Sequence, residues 1–203
     1  MAANTNESLL SILCSGGWFW DSGRSNEIKF NEDGTGTLIC RLELNVWIAT
    51  EIDWKFKNPE SLQQVVDLSG KPRKKHPQSL SKFDLEITLT KRRIPKLLQV
   101  DMYRVKLNEE LLKDDAFVPK TYSIHLKKGD FLTDADARMD KQLPYTPHFW
   151  LRLVFDKSPY PPRKEWKEPS GAPDSCKFWE WKEFCGRQLP GKTESAWGNC
   201  VVC

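Results

Sequence analysis

Several things are scarce in this chain of 203 residues. Histidine occurs three times, at 76, 125 and 148, too scattered to spell a metal-ligand spacing. No run of apolar residues is long enough to cross a bilayer. The first 23 residues hold neither Lys nor Arg, so the charged start of a secretory signal is missing. The six cysteines form no even framework, since four of them crowd into the last 28 residues. Together these absences predict a cytoplasmic protein with reduced thiols. Net charge is scarce too: 31 basic against 28 acidic side chains leaves +3, which excludes nucleic acid as the main partner.

Aromatic residues are what the chain has in excess, at 11%, with nine tryptophans among them. Four of these, Trp18, Trp20, Trp47 and Trp54, lie between Gly16 and Phe56. A chain of this length buries roughly 70% of its unfolded surface and needs no disulfides to fold. One domain with an appendage is expected.

Hydrophobic alternation divides the chain into eight strand-like runs. They are 18–20, 26–31, 35–44, 46–56, 83–90, 97–107, 121–128 and 148–156. Asp33-Gly34 between two such runs is a hairpin signal. The run 83–90 is the cleanest, with Phe83, Leu85, Ile87 and Leu89 on one face and Asp84, Glu86, Thr88 and Thr90 on the other. In 97–107 the alternation breaks between Met102 and Tyr103, which predicts a bulge. Ser8–Cys14 reads as one helical turn. Pro159–Pro162 ends the pattern, so residues 1–157 are expected to form the domain and 158–203 a Pro-rich C-terminal tail. Eight strands in sequence-adjacent hairpins predict a single all-β, antiparallel, up-and-down barrel, because closure removes the exposed edges of a large sheet. The interior of such a barrel holds side chains or one small ligand.

Gly16-Gly17-Trp18 on the first strand resembles the Gly-x-Trp signature of the lipocalins and the wider calycin group. The resemblance implies that Ser8–Cys14 plugs one end of the barrel. It also implies that a late-strand arginine, matched here by Arg152, packs over Trp18 as a structural partner. The long C-terminal helix usual in that group is not evident.

Aromatic side chains suit an apolar ligand, so Trp20, Trp47, Tyr103, Tyr122, Trp150 and Arg152 are the candidate binding residues. For Trp20, Trp47 and Trp150, lining a cavity and filling a barrel are equally open. Glu51 and Asp53 share a face with Trp47. If that face points inward, two carboxylates enter the cavity and burial raises their pKa values. The opposite face, Ile48, Ile52, Trp54 and Phe56, is the more hydrophobic, which argues that the carboxylates face water. His148 sits after Pro147 at a strand mouth and joins Glu51 and Asp53 as a catalytic candidate. No nucleophile triad stands out, and no metal or cofactor is implied. Asp33-Gly-Thr-Gly36 lacks the lysine of a phosphate loop. Asp134-Ala-Asp136 with Asp140 lacks the glycine and final glutamate of a calcium loop. Lys71-Pro-Arg-Lys-Lys75 reads as a solvated loop.

Three functions follow as expectations: binding of a small, largely apolar molecule in the barrel; a cofactor-independent cyclase or isomerase using the same cavity, as in some barrels of the resembled group; or a filled-barrel interaction module tethered to membrane. The tether would be Cys200-Val-Val-Cys203, which fits a prenylation box except in its final residue. The alternatives there are a zinc site with Cys176 and Cys185, or unmodified thiols. Palmitoylation of Cys185 and the basic loop would be second membrane signals for peripheral association.

Overall fold

A chain that alternates apolar and polar residues buries one face of each strand, and here that face is turned inward around a ring. The computed structural model describes residues 6–71, 74 and 76–190. Eight antiparallel strands close into a barrel: β1 (Gly17–Phe19), β2 (Glu27–Phe30), β3 (Thr35–Leu42), β4 (Asn45–Phe56), β5 (Gln78–Arg93), β6 (Lys120–Phe131), β7 (Phe149–Phe155) and β8 (Glu183–Gln188). Each strand pairs with its successor, and β8 returns to β1 through Cys185 opposite Phe19. The architecture is therefore all-β and up-and-down. The β2–β3 turn uses Gly34 at φ 84, a left-handed conformation that glycine adopts without a Cβ clash.

The alternation of β5 is realised as read: Phe83, Leu85, Ile87 and Leu89 are all buried. On β4 the hydrophobic face wins. Ile48, Thr50, Ile52, Trp54 and Phe56 point inward and are buried. On β3 the inward face stops at Cys40. The register shifts between Cys40 and Arg41, and the hairpin turns at Glu43, so Leu44 projects into solvent, 97% exposed.

Two corrections concern the strand count. The run 97–107 is not a barrel strand. Lys96–Leu97 and Val100–Asp101 make a small hairpin, with Leu98 and Gln99 at positive φ, and Met102–Arg104 is a 3-10 turn. This excursion lies on the outer wall, where Met102 and Leu107 pack on Ala49. The Asn108 side chain completes the contact. Its carbonyl accepts from Ala49 N at 2.9 Å and its amide donates to Ala49 O at 3.0 Å, replacing a strand partner. The break in alternation at Met102 thus marks the end of strand rather than a bulge.

The eighth place in the ring is taken by β8, inside the segment read as a tail. Residues 158–190 do not hang from the barrel. Tyr160, Trp166, Phe178, Trp181 and Phe184 are each at most 4% exposed and belong to the main core. They seal one end: the Tyr160 hydroxyl donates to Ile39 O at 2.7 Å, and Tyr160 packs against Phe178, Trp181 and Phe184. The boundary at 157/158 therefore runs through the fold rather than beside it.

The opposite end is closed by α1 (Leu9–Cys14), N-capped by Ser8, whose hydroxyl accepts from Ser11 N. Leu9, Ile12 and Leu13 are buried, and the Trp18 indole N–H donates to Leu13 O at 3.0 Å. Trp18 is thus the plug residue at the closed end. Arg152 is not its partner. On the outer face of β7, its guanidinium lies 4.3 Å from the centre of the Phe131 ring and bonds Glu183 and Leu132 O. The arginine that joins the last strand to the N-terminal segment is Arg187. It grips both Glu7 carboxylate oxygens, at 2.5 and 2.7 Å, and reaches the Ser15 hydroxyl at 3.2 Å. Its neighbour Gly186 carries the Trp18 ring, since a Cβ there would stand 2.8 Å from the indole.

The Arg187 hydrogen bonds hold the Glu7 carboxyl below its ordinary value of 4.5, outweighing the upward push of burial. A carboxylate depressed in the folded state adds stability above its unfolded pKa and loses it as pH falls through the folded value. The melting-temperature difference between the wild type and Glu7→Gln is expected to be full at pH 7. It should shrink progressively as pH falls below 4.5 in a thermal-denaturation series. A difference that stays constant through the acid limb of the series would detach the pair from acid stability.

Candidate binding site at the barrel mouth

Among the described residues, a ligand-sized space lies at one end of the barrel. Where β6 leaves the mouth and the strap 158–181 crosses it, a slot of about 260 Å³ opens, with Tyr122, Tyr160, Pro162 and Trp179 among its walls. Each wall has a reason to be there. Tyr122 is an inward residue of β6, edge-on to Phe155 of β7. Tyr160 is fixed at both ends, by its hydroxyl on Ile39 O and by its backbone N–H on the Ser158 hydroxyl. Ser158 in turn donates to Phe178 O at 2.9 Å, pulling the strap into a closed loop. Trp179 follows Phe178 in a 3-10 turn, entered through Lys177 at φ 52.

The slot's polar groups are few. Glu165, 5% exposed, is paired with the Lys120 ammonium, so one buried carboxylate and one cation neutralise each other. Lys157 stands over the Tyr122 ring, 5.1 Å from its centre. Lys164 also lines the slot.

A larger cleft of about 610 Å³ lies on the outer wall beside the 96–110 excursion. Its charges are already matched. Arg92 bonds Glu51 at 2.6 Å and also Asp53, and Arg93 bonds Glu109 and Glu110, each at 2.6 Å. Arg93 also donates to the carbonyls of Met102 and Val105, so this cleft is the seam that ties the excursion to β5. Of its lining carboxylates, Glu109 keeps one buried oxygen, Oε2, without a partner among the described residues.

The sequence candidates scatter over this geometry. Glu51 and Asp53 point to solvent and are held by Arg92, so the pair of carboxylates does not enter the barrel. His148 bonds Asp130 through Nδ1, away from the slot. Tyr103 is 65% exposed on the outer cleft. Trp20 stacks on Trp181 at 3.5 Å and donates to Asp134 at 3.0 Å, serving the seal. Trp47 packs against Phe178, and Trp150 lies at the edge of the main core. Of the six residues proposed for ligand binding, Tyr122 alone lines the slot. Pro162 and Trp179 were missed because their segment reads as tail, and Lys157 because it follows the last strand-like run; the aromatic cluster Phe178-Trp-Glu-Trp181 was the signal that could have found the strap.

The refused calcium loop has a structural use. Asp134 and Asp136 start the helical turn α2 (Asp134–Ala137) and accept from Trp20, Ser22 and Thr133. Cys14, Cys40, Cys176 and Cys185 are free thiols. Cys185 is fully buried, which removes it as a lipidation site, and burial pushes its thiol up to about 11. Cys200 and Cys203 lie outside the described residues, as do Pro72, Arg73 and Lys75 of the basic loop. Among the described residues no helix is long and apolar enough to cross a membrane, and no group of His, Cys, Asp and Glu could hold a metal ion.

No protein-family model matches the chain, and neither a curated protein nor a solved structure matches it significantly. Its class is set by the fold itself: an all-β, eight-stranded antiparallel barrel.

Proposed function

We propose that this protein binds a small, largely apolar molecule, seated in the slot at the barrel mouth rather than in the barrel's centre. One observation carries the reading: the centre is filled by inward Leu, Ile, Phe and Trp side chains, whereas the mouth keeps an aromatic-walled space of about 260 Å³. That volume lies just under the usual range of roughly 300–1,000 Å³, so the ligand is small. The calycin resemblance supports the same reading. It implies a helical turn before a Gly-x-Trp strand, and α1 and Trp18 on β1 fit those two features; the arginine that it implies over Trp18 is not Arg152, and Arg187 on the last strand bonds Glu7 and Ser15 instead. For the enzyme reading, none of the catalytic candidates Glu51, Asp53 and His148 lines the slot.

An apolar fluorophore is expected to quench tryptophan emission and to raise the melting temperature of the wild type by mass action. Trp179→Ala should abolish both effects while leaving the fold intact, since Trp179 is only partly buried. A titration with no quenching and no thermal shift would overturn the reading. It would leave the filled barrel as an interaction module, for which Leu44 and Leu98, exposed at two hairpin tips, are among the exposed apolar contacts.

A further inference from the structure

Tyr122 carries a hydroxyl that nothing satisfies. Its residue is 2% exposed, yet no donor or acceptor among the described residues meets its oxygen. The oxygen is not sealed in, because the side chain lines the slot and the atom is absent from the fully enclosed orphans, which are on Glu109, Trp150 and Arg152. A phenol that opens on the slot and has no acceptor on the protein favours a ligand that supplies one. Burial, with the charges of Glu165 and Asp156 behind it, pushes the phenol well above its usual range, which keeps it an O–H donor.

The charges around this hydroxyl are unequal. Lys157 stands over the Tyr122 ring and has no carboxylate partner among the described residues. Lys164 on the rim likewise has none. Of the acids, Glu165 is consumed by Lys120, and Asp156 turns to the outer wall, where it accepts the Ser123 backbone N–H. The slot therefore presents a neutral O–H donor and an unpaired ammonium side by side, under apolar walls.

We propose that the ligand of this slot is a small organic acid. Its carboxylate accepts a hydrogen bond from the Tyr122 hydroxyl and pairs with Lys157, while an aromatic or short branched body lies against Trp179 and Pro162. The inference rests on the mouth-slot reading and adds the charge of the ligand to it. A long acyl chain does not fit a slot of about 260 Å³ whose Tyr160 wall is packed against Phe178.

The test is calorimetric titration of the full chain with 2-naphthoate and with its neutral isostere 2-naphthamide. The acid is expected to bind at least tenfold more tightly. Lys157→Met should weaken naphthoate about tenfold and change naphthamide less than twofold, whereas Tyr122→Phe should weaken both, since the amide carbonyl also accepts from the phenol. Lys157 is exposed, so its substitution reads the charge even if Tyr122→Phe loosens the fold. Equal binding of acid and amide, both lost in Trp179→Ala, would overturn the acid inference and leave the slot reading standing. No binding of either probe, or naphthoate binding indifferent to Tyr122→Phe, Lys157→Met and Trp179→Ala, would overturn both.

Discussion

A chain cut after Asp156 is expected to be unfolded or aggregated, not a smaller barrel. The cut removes β8, which leaves β7 and β1 with unpaired edges at the one point where the ring closes. It also removes Tyr160, Trp166, Phe178, Trp181 and Phe184 from the core, each at most 4% exposed. Losing one such aromatic costs about 3–5 kcal/mol. Three of them therefore match the entire stability of an ordinary domain, about 5–15 kcal/mol. Circular dichroism and size-exclusion chromatography of the truncated chain check this. Strand signal with a cooperative thermal transition would show that residues 158–190 are dispensable after all.

The second large effect is at the other end. Trp18→Ala is expected to destabilise the protein by about 3–5 kcal/mol, measured by denaturant unfolding. Trp18 is 1% exposed, its N–H holds α1 through Leu13 O, and its ring lies flat against Gly186. Replacing it therefore empties volume, frees the plug and loosens the β8–β1 seam in one step. Gly186→Ala approaches the same contact from the opposite side. Its methyl would stand 2.8 Å from Cε3 and 2.9 Å from Cζ3, where no real Cβ sits, so ring or strand must move. A loss below 1 kcal/mol for Trp18→Ala would mean that the plug contributes little.

What could be seen beforehand follows from period. β5 and β4 each carry enough alternating residues to define a face, and Ile48, Ile52, Trp54 and Phe56 outweighed Glu51 and Asp53 as hydrophobicity says they should. β8 offers no such statistics. Its six residues, Glu-Phe-Cys-Gly-Arg-Gln, include a central glycine, and they follow a Pro-rich stretch whose composition resembles a linker. Gly186 is there because of Trp18, more than 160 residues earlier, a contact that no local window contains. The run 97–107 failed for the converse reason: apolar residues sufficient for a strand were used to cover Ala49 from outside. The binding slot was half legible. Tyr122 could be placed on an inward face by alternation, but the strap residues that complete the space became visible only once their segment was known to fold back.

The late position of β8 has a consequence for the birth of the molecule on the ribosome. β1 emerges first among the barrel strands, yet its second partner is not made until residues 183–188. Residues 156–182, which separate the end of β7 from the start of β8, take roughly 1–5 s to synthesise at about 5–20 residues per second. Throughout that interval a seven-stranded sheet carries two open edges and an unsealed mouth, the state most exposed to pairing with other nascent chains. Whatever protects the protein in the cell must act within those few seconds, before the last strand arrives.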